Sequence, residues 1–269
     1  MLKKRILAAV VLLPIGLFLI YLGGLWFAIL VILFLGIAAW EYARLFHLGG
    51  YHPSDVLIVG GVILLAAERY WAGFANTHWL LTTLILISMT YHLISYEKGR
   101  DQAGTDFAIT IGGMIYIGWL GSYLISLRAI QDGLWWLLLA LPVVWLADSG
   151  AYFYGKRFGR HKLSPRLSPK KTWEGYIAGI VTGVIGGVAL VYLLNFLGAG
   201  LFLYQGAIMG LILSVVTPLG DLGESMFKRQ FGVKDSSKLI PGHGGAFDRI
   251  DSWIWAATLG YYLAVGIFI

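Results

Sequence analysis

Apolar residues run along this chain in long blocks separated by short polar stretches, and the blocks are long enough to cross a bilayer. A hydrocarbon core of about 30 Å needs roughly 20 predominantly apolar residues in a helix. About nine stretches meet that need by this standard: 6–22, 25–42, 56–72, 79–96, 107–127, 134–152, 175–197, 204–222 and 250–268. With no water in the membrane core, each span must satisfy its own backbone and is expected to be helical. The pattern predicts an all-α fold, a polytopic integral membrane helix bundle. Trp26, Trp40, Trp71, Trp79 and Trp173 fall near predicted span ends, where aromatic belts form.

Composition agrees with the pattern. Of 269 residues, 58% are hydrophobic and 13% charged, and the mean hydropathy is +0.77. A soluble domain carries about twice that charge. The net charge of +6 would suggest nucleic acid in a soluble protein, but its placement explains it better. With the N-terminus in the cytoplasm, all but Arg69 and Arg128 of the 20 Lys and Arg residues lie inside, including the basic loops 153–174 and 223–249. The reverse orientation breaks the positive-inside bias almost everywhere. No nucleic-acid partner is expected, and the C-terminus lies outside. The absence of Cys excludes disulfides and thiolate-bound metals. Lys3-Lys4-Arg5 before an apolar run resembles a signal peptide, but no small-x-small cleavage site follows. The expected location is a prokaryotic inner (cytoplasmic) membrane.

Polar chemistry is unevenly spread. Residues 1–133 hold five spans with short loops and few charges (Glu41, Arg44, Asp55, Glu97, Arg100 and Asp106 near helix ends), which suggests a scaffold. Residues 134–269 hold spans six to nine and two long cytoplasmic segments, which suggests the catalytic region. The first segment begins at Asp148, close to the inner end of span six. An unpaired carboxylate at mid-membrane costs about 2.5–3.5 kcal/mol on insertion scales, so Asp148 needs a cation. It is either a metal ligand or an interfacial carboxylate paired with Lys156 or Arg157. Ser168-Pro169-Lys170-Lys171 has the form of a helix start, with Ser at the N-cap and Pro at the first helical position. Such an N-terminus with two lysines suits phosphate, and equally suits lipid headgroups at a topology signal.

The second segment carries Asp221, Glu224, Ser225 and Lys228 at spacings that share one helical face. Glu224 and Lys228 at i,i+4 also form an ordinary helix pair. Gly242, Gly244 and Gly245 around His243 permit positive φ and close backbone approach, as a phosphate-cradling loop requires. Asp248 and Asp251 share a face where span nine begins, although Asp251 also reads as a helix N-terminal charge. The topology brings Asp148, Asp221 and Asp248 to one depth. Oxygen ligands among Lys and Arg favour Mg²⁺ over zinc.

Ser225 to Asp251 resembles the phosphatidate cytidylyltransferase (CDP-diacylglycerol synthase) family. Its pattern is Ser-x-apolar-Lys-Arg, then Lys-Asp-x-small, then apolar-Pro-x-His-Gly-Gly-apolar-x-Asp-Arg-apolar-Asp. Ser225, Lys228, Arg229, Lys234, Asp235, Ser237, His243, Gly244, Gly245, Asp248, Arg249 and Asp251 match it, and Ala246 replaces a larger apolar residue. Asp148 and the Ser168-Pro169-x-Lys171-Thr172 stretch are similar to that family as well. The resemblance implies transfer of the cytidylyl group of CTP to phosphatidate, giving CDP-diacylglycerol and pyrophosphate with Mg²⁺. On that basis Asp221 and Asp248 are expected to bind Mg²⁺, Asp148 a second cation or the first, with Asp251 completing the metal set. Lys170, Lys171, Lys228, Arg229 and Lys234 are expected to hold phosphates. Ser168, Ser237, Gly244, Gly245 and Arg249 are expected to line the substrate site, and His243 to contact a phosphate or move a proton. A homodimer is a further expectation. The competing readings are an ion-coupled transporter, which would need polar residues across the whole bilayer, and another membrane phosphotransferase or lipid kinase.

Overall fold

The computed structural model describes residues 13–237, 239 and 244–269. Helices dominate: α1 (Leu13–Leu22 where described), α2 (Gly24–Leu48), α3 (Asp55–Ala72), α4 (Thr77–Glu97), α5 (Ala103–Gly113), α6 (Tyr123–Ala129), α7 (Gly133–Phe158), α8 (Trp173–Asn195), α9 (Leu203–Val216), α10 (Pro218–Gln230) and α11 (Phe247–Leu263). A π-helical stretch, Met114–Trp119, follows α5, and another, Ala264–Phe268, follows α11.

Among the described residues, six helices are long and apolar enough to span a membrane: Gly24–Leu48, Thr77–Glu97, Ala103–Ala129, Gly133–Phe158, Trp173–Asn195 and Leu203–Gln230. The other three expected spans are helical where described, but each departs from a plain apolar span. α1 is described only from Leu13, α3 carries Asp55, Glu68 and Arg69, and α11 opens on Asp248, Arg249 and Asp251. The chain divides into two compact units. One holds the chain up to Ser126 together with Phe227–Ile250, the other Leu127–Met226 together with Asp251–Ile269.

In the first unit, α2 packs on α3 and on the π-helical stretch. Small residues make the approach close: at Gly118 a Cβ would come 3.0 Å from the Val62 Cα. Phe227, Phe231 and Phe247 are fixed to α2 by an aromatic cluster. Tyr42 meets Phe227 edge-on at 5.5 Å between ring centroids and Phe247 at 6.2 Å, while Phe46 meets Phe231 at 5.1 Å. Such pairs contribute about 0.5–1.5 kcal/mol each beyond area burial.

The second unit is built on α8 between α7 and α9. Gly175, Gly179, Gly183 and Gly187 recur every fourth residue of α8, and all are buried. A Cβ on Gly187 would come 2.1 Å from the Gly206 carbonyl oxygen, and one on Gly210 would come 2.3 Å from that of Gly183. Lipid offers no hydrophobic drive between helices, so backbones held at van der Waals contact through small residues provide the packing.

The stretch expected to start a helix at Ser168 is instead a strand. β1 (Lys162–Ser164) and β2 (Ser168–Thr172) form an antiparallel hairpin with Lys162 opposite Thr172 and Ser164 opposite Ser168. Ser168 is therefore committed to a ladder, and Pro169 is tolerated because a two-stranded hairpin is all edge. The helix start lies four residues on. Thr172 is the N-cap of α8, and its Oγ1 accepts from Gly175 N at 3.2 Å. Glu174, in the first turn, accepts from the backbone N–H groups of Arg160 and His161, each at 3.1 Å, and closes the hairpin. The expected span 204–222 is interrupted after Thr217, where Pro218 opens α10 as a first-turn proline.

Candidate active site

In the second unit, α10 and α11 touch at Gly220, where a Cβ would come 2.6 Å from the Asp251 carbonyl oxygen and 2.6 Å from the Trp255 ring. That contact sets the next residue, Asp221, beside Asp251. Among the described residues, Asp221, Glu224 and Asp251 form a group whose carboxylate oxygens all lie within 4.8 Å of one another. Glu224 is buried at 1% exposure, and the other two are half-buried. Lys171 of β2 places its Nζ 2.5 Å from Asp221 Oδ2, and Ser225 Oγ donates to Asp221 Oδ1 at 3.4 Å. Asp148, exposed on α7, lies within electrostatic reach of both Lys171 and Asp221.

Three carboxylates converge here, with the Lys171 ammonium against Asp221. The donor set is all oxygen, which suits a hard divalent cation. Around Mg²⁺, ligand oxygens at about 2.1 Å lie up to about 4.2 Å apart, so oxygens within 4.8 Å need only a small closure.

The first unit holds a second cluster of different character. Asp248, in the first turn of α11, accepts from Lys228 Nζ at 2.6 Å on Oδ1. Its Oδ2 accepts from Ser236 N at 2.9 Å, Ser236 Oγ at 2.7 Å and Gly245 N at 2.8 Å. The side chains of this ion pair are 10% and 7% exposed. Gly244 has φ of 85°, the left-handed conformation the loop was expected to use. Gly245 is required for a different reason than phosphate approach. The place of its Cβ is filled by Ser236 Oγ at 2.2 Å and by the Glu41 carboxylate at 2.3 Å.

The structure brings Asp221 and Asp251 together with Glu224, which the sequence placed on the same polar face as Asp221 or in a helix pair with Lys228. Asp148 and Asp248 are not members of the three-carboxylate group. Lys171 reaches it, whereas Lys170, the neighbouring strand residue, is exposed. Ser168 pairs within the hairpin. Arg229 is exposed and donates to the Val233 carbonyl at 3.3 Å, and Lys234 and Arg249 are exposed as well. Ser237 Oγ donates to Glu41 Oε1 at 2.5 Å. His243 lies outside the described residues.

The sequence model of the Cytidylyltransferase family matches residues 3–267. A phosphatidate cytidylyltransferase of Pseudomonas aeruginosa is 39% identical, over 97% of this chain and 99% of that protein. One of Staphylococcus saprophyticus is 35% identical over 98% of this chain and 100% of its own length, and one of Staphylococcus aureus is 34% identical over 96% of each. A membrane-helical chain matched nearly end to end in this way belongs to the cytidylyltransferase family.

Proposed function

We propose that this chain transfers the cytidylyl group of CTP to phosphatidate, forming CDP-diacylglycerol and releasing pyrophosphate in phospholipid biosynthesis. The observation that carries the reading is the Asp221–Glu224–Asp251 group with Lys171 against it, in a chain whose full-length relatives bear that enzyme's name. A phosphate monoester is already an anionic nucleophile. Its oxygen attacks the α-phosphorus of CTP, the bond from that phosphorus to the bridging oxygen breaks, and pyrophosphate leaves with the electron pair. What the protein must supply is alignment of two polyanions and stabilisation of charge on the leaving group.

Asp221, Glu224 and Asp251 would hold Mg²⁺, which when bound neutralises the triphosphate and the departing pyrophosphate. Lys171 carries its charge at the same carboxylates and is positioned to shift from Asp221 to a phosphate oxygen. Lys228, ordered by Asp248, is the second cation we assign to substrate phosphate. Arg229, Lys234 and Arg249, exposed and little constrained, suit capture of the incoming nucleotide. The positive-inside distribution supports nine spans with the N-terminus in the cytoplasm, an inner-membrane location, and a reaction on the cytoplasmic face.

The test uses purified protein, Mg²⁺, phosphatidate and CTP labelled at either end. Label at the α position should enter lipid, and label at the γ position should leave as pyrophosphate. Lipid labelled from the γ position would identify a kinase, and no labelled lipid from either would overturn the reading. The mass of the protein in detergent tests the expected homodimer.

A further inference from the structure

Glu41 sits in the middle of the apolar first half and has no part in the sequence motif, yet it is fully buried. Its neighbours on α2, Ala38, Ala39 and Ala43, are small and buried too, so another segment packs closely there. That segment is the signature loop. Glu41 Oε1 accepts from Ser237 Oγ at 2.5 Å and Ala246 N at 3.1 Å, and Oε2 accepts from Ser236 Oγ at 2.9 Å and Phe247 N at 2.8 Å. The donors come from both ends of the loop, about ten residues apart in sequence. Two of them are N–H groups at the start of α11, which have no intrahelical partner. Ser236 Oγ also stands 2.7 Å from Asp248 Oδ2, so a single hydroxyl proton serves both carboxylates. Asp248 in turn holds Lys228.

We infer that Glu41 is a positioning residue of the reaction: it ties Ser236 and Ser237 to Ala246 and Phe247 at the start of α11 and thereby fixes Asp248 and the Lys228 ammonium. A buried charge is a poor stability device, since an apolar replacement often serves as well. Four donors converging from two ends of one loop give it a geometric task instead. Residues that orient the ligands of a metal site are worth about 10–100-fold in activity, and a loss on that scale is expected for one that orients a phosphate-binding ammonium.

The catalytic half of the inference rests on the cytidylyl-transfer reading, and the structural half does not. The test is Glu41→Gln in the full-length protein. Turnover per folded molecule should fall about 30-fold while KM for CTP changes less than about threefold. Hydrogen exchange at the Ala246 and Phe247 amides should rise at least about tenfold, with exchange in α8 unchanged. The same measurements on Ser236→Ala, a milder change, should move in the same direction, and its effect should be non-additive with Glu41→Gln. Wild-type turnover in Glu41→Gln, or a loss wholly explained by lost folded protein, would overturn the inference. Unchanged exchange at both amides would overturn it independently of any activity. Failure of the wild-type protein to label lipid would instead count against the proposed function.

Discussion

The two carboxylate clusters of this protein use similar residues for opposite ends. Around Asp248 and Glu41, every carboxylate oxygen accepts from protein donors: an ammonium, two hydroxyls and four backbone N–H groups. Around Asp221, Glu224 and Asp251, three carboxylates converge with Lys171 against them. Carboxylates shared among donors from separate segments tie those segments together, whereas three carboxylates within 4.8 Å of one another make an all-oxygen group suited to a divalent cation. The lesson is that a conspicuous Asp in a motif takes its role from the donors the fold gives it.

Substitutions at five positions press on that contrast. Asp251→Asn or Asp221→Asn removes a converging oxygen and should lower turnover by about 10²–10³-fold with little change in thermal midpoint, read by label transfer and thermal unfolding. Asp248→Asn should cost both, since it strands Lys228. Breaking such a buried pair from one side costs about 3–5 kcal/mol, visible as a large fall in the midpoint. Gly245→Ala pushes a Cβ into Glu41 and Ser236 and should destabilise by about 1–3 kcal/mol, with loss of loop order in hydrogen exchange. Thr172→Ala removes only the cap of α8 and should cost about 1 kcal/mol, while Thr172→Ser should unfold near wild type. If Asp251→Asn proved as destabilising as Asp248→Asn, the two clusters would not differ as described.

Much of the helical build was legible because the bilayer forces it: a long apolar run has no alternative to a helix. What local patterns did not reveal was tertiary in origin. Ser168-Pro169 has the chemistry of a helix start, but the strand pairing of Ser164 with Ser168 overrides it and Thr172 takes the cap. Glu224 reads as one half of an i,i+4 pair until Gly220 brings α11 against α10 and sets Asp251 nearby. Glu41 gave the weakest signal, one acid near the end of an apolar helix, because its partners lie about 200 residues away. Its flanking alanines were the available clue, since a small-residue face in a membrane helix marks close packing. Asp221 and Asp251 stood out because their charge has no use in a lipid-facing helix, and Lys171 through its place in a basic stretch that read as a helix start.

The central claim is that the cation belongs to Asp221, Glu224 and Asp251 and that Asp248 organises the loop. Mn²⁺ binding to the purified protein, followed by paramagnetic resonance in the absence of CTP, tests it directly. Asp251→Asn should weaken binding at least about tenfold, while folded Asp248→Asn should stay within about threefold of wild type. Loss of Mn²⁺ binding in Asp248→Asn with wild-type affinity in Asp251→Asn would contradict the account.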